Sequence, residues 1–271
     1  MTLVSTDWLS DNLNKVKIID ASWHLVKNRN AVEEYNKEHI KNAIFFNLDK
    51  NSNQKKDLSH GHFLPTINSH EKSISEMGIL NTDRIIIYCY SDLISSCRAW
   101  FQFIYFGHDP KLVSILNGGM KKWKIEGRKV TNINTKIIPS KYKAKENNNM
   151  IKIKSQIDEN IKRKEFTVLD ARSKNRFLGL EPEPRIGIKS GSIEGSKSLP
   201  LSELVNIKDN TFLDKKKLKD IFNLKGINTN KIVMSCGSSV TAASLALAYS
   251  IINDDYMAKI YIGSWTEYGK K

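Results

Sequence analysis

A cysteine set between a buried strand and a helix is a candidate nucleophile. The run Ile232-Val233-Met234-Ser235-Cys236-Gly237-Ser238-Ser239-Val240-Thr241-Ala242-Ala243 has that form. Its first residues read as a short buried strand. The Ala-rich stretch 242–251 has strong helix propensity, with Thr241 or Ser239 as candidate caps. A thiol at this junction would face the unpaired N–H groups and positive dipole end of the helix, which lower a thiol's pKa and hold its anion. The same N–H groups could cradle a terminal persulfide sulfur as they would a phosphate oxygen. The residues alone leave a second reading open: Cys236 as a small buried side chain ending a strand, the commoner fate of free cysteine.

Phosphatase or arsenate reductase chemistry on the same strand–cysteine–helix plan needs an arginine six positions on, to clamp oxyanions. That position is Ala242. The other two cysteines, Cys89 and Cys97, form no Cys-x-x-Cys pair with each other or with Cys236, which argues against a disulfide scaffold or a structural zinc site. The net charge of +14 comes mostly from Lys spread along the chain, without an arginine-rich arm or an aromatic RNA-binding signature. It reads as a solvated surface that attracts anions at low salt, not as a nucleic-acid interface. No apolar stretch approaches the roughly 20 residues of a membrane span. The first residues lack a basic segment followed by an apolar one, so the expectation is a soluble, cytoplasmic protein.

The elements that must position Cys236 occur twice. Gly78-Ile79-Leu80-Asn81-Thr82-Asp83-Arg84-Ile85-Ile86-Ile87-Tyr88-Cys89 resembles Gly226-Ile227-Asn228-Thr229-Asn230-Lys231-Ile232-Val233-Met234-Ser235-Cys236, with one residue dropped. Upstream, Ile18-Ile19-Asp20-Ala21-Ser22 matches Val168-Leu169-Asp170-Ala171-Arg172; downstream, Gly118-Gly119-Met120 with Trp123 parallels Gly263-Ser264-Trp265. The landmarks keep their order at a displacement of 145 to 150 positions. Each half alternates strands and helices, which predicts an α/β fold with a parallel sheet flanked by helices. The Lys- and Asn-rich segment 136–150 reads as connecting sequence. This places an N-terminal domain at 1–137, a linker at 138–150 and a C-terminal, catalytic domain at 151–271.

Cys236-Gly237-Ser238-Ser239-Val240-Thr241-Ala242 resembles the active-site loop of 3-mercaptopyruvate sulfurtransferases, enzymes built from two rhodanese-like domains in tandem. The likeness runs through Asp170-Ala171-Arg172, Arg176-Phe177 and Glu181-Pro182-Glu183-Pro184-Arg185 with Gly187. It also includes Phe45-Phe46-Asn47-Leu48-Asp49, His62-Phe63-Leu64-Pro65, Arg98-Ala99-Trp100, Phe106-Gly107-His108 and Gly263-Ser264-Trp265. The resemblance implies that Cys236 takes sulfur from 3-mercaptopyruvate as a persulfide, releases pyruvate, and passes the sulfur to cyanide or a thiol such as thioredoxin. Thiosulfate as donor, or a sulfur carrier of low turnover, are the alternatives. Thiosulfate-preferring members carry basic residues after the cysteine; Gly237 and Ser238 are uncharged, which favours the keto acid.

By the same resemblance, Arg176 and Arg185 grip the substrate's carboxylate and ketone, and Gly237, Ser239, Val240 and Thr241 are further substrate-binding residues. Ser238, His62 and Asp49 match a Ser-His-Asp proton relay, His62 being preferred to His60 because it directly precedes Phe63-Leu64-Pro65. Cys89 occupies the corresponding place in a silent first copy, its loop longer and bearing Asp92; Cys97 reads as a packing residue. No cofactor or metal, no nucleic acid and no membrane partner is implied, and the protein is expected as a monomer or weak oligomer. Three departures from the family pattern stand out. Ser239 replaces a glycine, Asn47 replaces an aspartate, and Gly191-Ser192-Ile193-Glu194-Gly195 lacks a histidine and a proline.

Overall fold

The computed structural model describes residues 2–26, 28–56, 61–227, 231–253 and 257–271. The chain forms two compact units. In the first, the elements run β1 (Leu3–Val4), α1 (Thr6–Asn12), β2 (Lys17–Asp20), α2 (Ala31–Lys37), β3 (Ala43–Phe45), α3 (Ile67–Glu76), β4 (Ile85–Tyr88), α4 (Ser96–Tyr105), β5 (Val113–Leu116) and α5 (Gly119–Ile125). The second runs β6 (Ile151–Lys152), α6 (Lys154–Arg163), β7 (Thr167–Asp170), α7 (Lys174–Leu178), β8 (Lys197–Ser198), α8 (Lys215–Leu224), β9 (Ile232–Ser235), α9 (Val240–Ile252), β10 (Lys259–Tyr261) and α10 (Ser264–Tyr268). Each unit holds a five-stranded sheet, ordered β1-β5-β4-β2-β3 in one and β6-β10-β9-β7-β8 in the other. All pairings are parallel. The two orders are the same order, so the internal repeat is a repeat of topology.

The central strands explain the burial. Ile85-Ile86-Ile87-Tyr88 and Ile232-Val233-Met234-Ser235 are buried throughout, as parallel strands covered on both faces must be. The helix after each is buried nearly all round: every residue of α4, Arg98 and Gln102 included, and ten of the thirteen in α9 are buried. Helix starts elsewhere follow local chemistry, with Thr66, Ser173 and Asp214 side chains accepting backbone N–H bonds at the heads of α3, α7 and α8.

The units are not simply the two halves of the chain. The first contains Met1–Asn51, Pro65–Asn147 and Asn206–Phe212; the second contains Ser52–Leu64, Asn148–Val205 and Leu213–Lys271. Each half therefore lends a short segment from beyond its edge strand to the other unit. Most of segment 136–150, read as connecting sequence, is a strap on the first unit, which extends to Asn147. Ser140 N–H bonds to Ser75 O and Asn147 N–H to Tyr105 O, while Tyr142 is buried against His108. Its polar composition hid this because backbone groups, not side chains, make most of its contacts.

His70 on α3 is buried, stacked on Phe106 at 4.1 Å between ring centroids, and its Nε2 has no hydrogen-bond partner among the described residues. Burial, then the Arg98 charge, push its pKa down to about 3. An unfolded histidine titrates near 6.5, so the folded state refuses a proton that the unfolded chain accepts. This contribution is intact above pH 6.5 and is lost as pH falls towards 3, at about 1.4 kcal/mol per unit. His70→Phe is expected to destabilise less on acidification than the wild type when urea denaturation is compared at pH 7, 6 and 5. Parallel pH slopes for the two proteins would assign the acid sensitivity to other groups.

Candidate active site

Strand β9 delivers Cys236 to the head of α9, and the loop between them is tied to α10. Cys236 N–H and Ser239 N–H both donate to Ser264 Oγ at 3.2 Å, and Ser264 Oγ donates to Tyr261 O at 2.9 Å. Cys236 O and Gly237 O accept from Trp265 N–H and Thr266 N–H, each at 2.9 Å. The loop's carbonyls thus point at α10. The N–H groups of Gly237 and Ser238 have no acceptor among the described residues. With the first-turn donors of α9, contributed by Val240 and Thr241, they leave free positive dipoles next to the cysteine. Cys236, Ser238 and Ser239 are all buried, Cys236 being 1% exposed.

Ser239 sits at φ +62°, in the left-handed region. A glycine there would be unstrained, whereas a serine costs about 1 kcal/mol. It occupies the N-cap position of α9, but its hydroxyl does not cap the helix as the sequence suggested; it donates instead to His62 O at 3.4 Å. Thr241 lies inside the first turn. The loop is held by bonds to Ser264 and His62 rather than by a cap.

The first unit shows what the silent copy retains. Met120 N–H donates to Cys89 O at 3.0 Å, the counterpart of the Trp265 bond to Cys236 O. Gly119, at φ +54°, takes the place of Ser264, at φ +49°; a Cβ on Gly119 would lie 2.4 Å from Cys89 O. Gly119 brings no hydroxyl to this loop, and Tyr90 N–H donates instead to Ser22 Oγ at 2.7 Å. Cys89 lies 3.4 Å from Ser96 Oγ, and burial pushes its thiol pKa up. Cys97 is buried in α4. All three cysteines are free.

Two arginines stand over the loop. A Cβ built on Gly237 would meet Arg176 Nη2 at 3.1 Å and Arg185 Nη1 at 3.7 Å, so only glycine leaves this space open. Arg185 Nη2 donates to Ser238 Oγ at 3.1 Å. Arg176 is held by Glu183 at 2.5 Å, and the same carboxylate takes Arg172 Nη1 at 2.7 Å. Arg172 also grips Asp170 at 2.7 Å, donates to Gly191 O, and lies over the Trp265 ring at 4.7 Å. The Asp-Ala-Arg motif therefore orders the strand end and the neighbouring loops.

His62 belongs to the second unit, and its Nδ1 is 3.2 Å from Ser238 Oγ. Asp49 lies in the first unit, where it accepts from Trp23 Nε1 at 2.9 Å. His60 lies outside the described residues. The structure thus brings together Cys236, Gly237, Ser238, Ser239, Val240, Thr241, Arg176, Arg185 and His62, while Asp49 is grouped elsewhere. Among the described residues no group of three or more His, Cys, Asp or Glu side chains could hold a metal ion, and no helix is long and apolar enough to cross a membrane.

Ser264 and Glu183 are the residues whose roles sequence reasoning missed. Both lay within quoted motifs. The Gly-Gly to Gly-Ser difference between the repeat copies was the available signal for Ser264.

The family model described as rhodanese-like domain matches residues 5–126 and again 154–271. Arabidopsis thaliana thiosulfate/3-mercaptopyruvate sulfurtransferase 1, mitochondrial, is 34% identical over 98% of this chain and 75% of its own length. Human 3-mercaptopyruvate sulfurtransferase is 32% identical over 98% of this chain and 91% of its own. Bovine thiosulfate sulfurtransferase is also 32% identical, over the same shares. The crystal structure of SseA from Escherichia coli, presented with the rhodanese fold and catalytic mechanism of 3-mercaptopyruvate sulfotransferases, superposes with a TM-score of 0.86. It is 28% identical, over 98% of this chain and 99% of that one. With two matched domains, full-length likeness and one sheet topology used twice, this chain belongs to the rhodanese family.

Proposed function

We propose that this protein moves sulfur from 3-mercaptopyruvate through a Cys236 persulfide to a thiol acceptor or cyanide, with pyruvate as the product. The chain is a sulfurtransferase. The Cys236 sulfur attacks the donor's sulfur; an S–S bond forms as the C–S bond breaks, and its electron pair leaves as the enolate of pyruvate. The proton carried on the donor's sulfur supplies the one that the enolate carbon needs. The contact of His62 with Ser238 supports a proton path through these two groups. The acceptor thiol then attacks the outer sulfur and returns Cys236 to its starting state. A carrier such as thioredoxin fits that step, and three free cysteines suit a reducing, cytoplasmic setting.

One observation carries the choice of donor. Two guanidinium groups converge on a loop whose first two residues after the cysteine are uncharged. That pairs cations with a carboxylate and ketone while leaving room for a three-carbon body. The equal likeness to thiosulfate sulfurtransferases favours a second reading, with thiosulfate as the donor. The kcat/KM ratio for the two donors decides. Arg185→Ala is expected to lower kcat/KM for 3-mercaptopyruvate by roughly 10²-fold and for thiosulfate much less. Equal losses for both donors would remove Arg185 from the specificity argument.

A further inference from the structure

We propose that a cleft in the first unit, at the N-terminal ends of β2 and β4, binds a small organic anion with an apolar body. The cleft has a volume of about 420 Å³, within the range of small-molecule sites. Four cationic side chains line it: Lys15, Lys17, Arg84 and Lys136. None of them pairs with a carboxylate among the described residues. Other basic residues of this unit do pair, as Lys122 does with Glu126 and Arg128 with Asp7. The one carboxylate in the lining, Asp83, already accepts from Leu80 N–H at 2.8 Å. Asp83 offsets one of the four cations, so the lining keeps an excess of positive charge.

Arg84 supplies the second observation. Its Nε is buried and has no hydrogen-bond partner among the described residues, so its desolvation goes unrepaid unless something accepts from it. Its guanidinium lies over the Trp8 ring at 4.7 Å, which fixes its plane. A half-buried, oriented guanidinium with an unpartnered Nε, beside three lysines that pair with no carboxylate among the described residues, suits a carboxylate or phosphate. The remaining walls include Ile44, Met77 and Ile137 from the sheet, α3 and the strap. They would cover a hydrocarbon portion, so a bare inorganic anion would leave half of the cleft unused.

Isothermal titration with hexyl phosphate, inorganic phosphate and hexanol separates these contributions, using the full chain. Hexyl phosphate is expected to bind at one site, at least about tenfold more tightly than inorganic phosphate or hexanol. Arg84→Gln should weaken hexyl phosphate by about tenfold or more and Lys136→Gln by severalfold, both with sulfur-transfer turnover unchanged. Lys136 is exposed on the strap, so its substitution tests the site even if the Arg84 variant fails to fold. No binding of hexyl phosphate, or equal affinity in the wild type and the Lys136 variant, would overturn the proposal. Inorganic phosphate binding as tightly as hexyl phosphate would overturn the apolar half of the ligand.

Discussion

Cys236→Ser is expected to reduce sulfur-transfer turnover by at least about 10³-fold, with the variant unable to hold sulfur between donor and acceptor. Serine keeps the size of the side chain and the loop bonds to Ser264 and Trp265, which run through the backbone. What it removes is a nucleophile that can form and release an S–S bond. Cys89 cannot take over, because burial raises its thiol pKa and its loop lacks the hydroxyl that Ser264 supplies to the catalytic copy. Mass spectrometry after addition of 3-mercaptopyruvate should find one extra sulfur on the wild-type peptide containing Cys236 and none on peptides containing Cys89. Turnover that survives Cys236→Ser would end the covalent mechanism.

Glu183→Ala is expected to destabilise the second unit by about 3–5 kcal/mol, because it strands the buried guanidinium of Arg172 with half of its counter-charge. The side chains of Glu183 and Arg172 are each 1% exposed, so water cannot replace the missing bonds. Asp170 still anchors Arg172, which keeps the loss short of complete unfolding. Glu183→Gln should cost less, since an amide oxygen can still accept from one arginine. Urea denaturation followed by a probe in the second unit measures both, and losses below 1 kcal/mol in the alanine variant would show that the network is dispensable.

The sequence made the repeat legible because strands, turns and the paired Gly118-Gly119-Met120 and Gly263-Ser264-Trp265 landmarks are local patterns. The carbonyls of Cys89 and Cys236 accept from Met120 and Trp265, residues that the repeat had already placed in register. The chemistry around Cys236 was legible for a similar reason: a strand, a small-residue loop and an Ala-rich helix are contiguous. The tie from Ser264 was not, because it joins residues 28 positions apart through one hydroxyl at a backbone angle that serine seldom adopts. Of the two candidate caps, Thr241 and Ser239, neither caps α9: Thr241 lies inside its first turn, and at φ +62° the Ser239 side chain turns towards His62 O. Nor could local pattern reveal that segment 52–64 is grouped with the second unit, since such membership is decided by packing between distant parts of the chain.

That exchange of segments bears on any attempt to divide the gene. A fragment starting near residue 151 would carry Cys236, both arginines and Glu183, yet would be born without His62. A fragment ending before it would lack Asn206–Phe212, whose Phe212 and Asn210 cover the pocket beside Cys89. A cut between the two repeats would therefore divide each unit from a piece that packs with it.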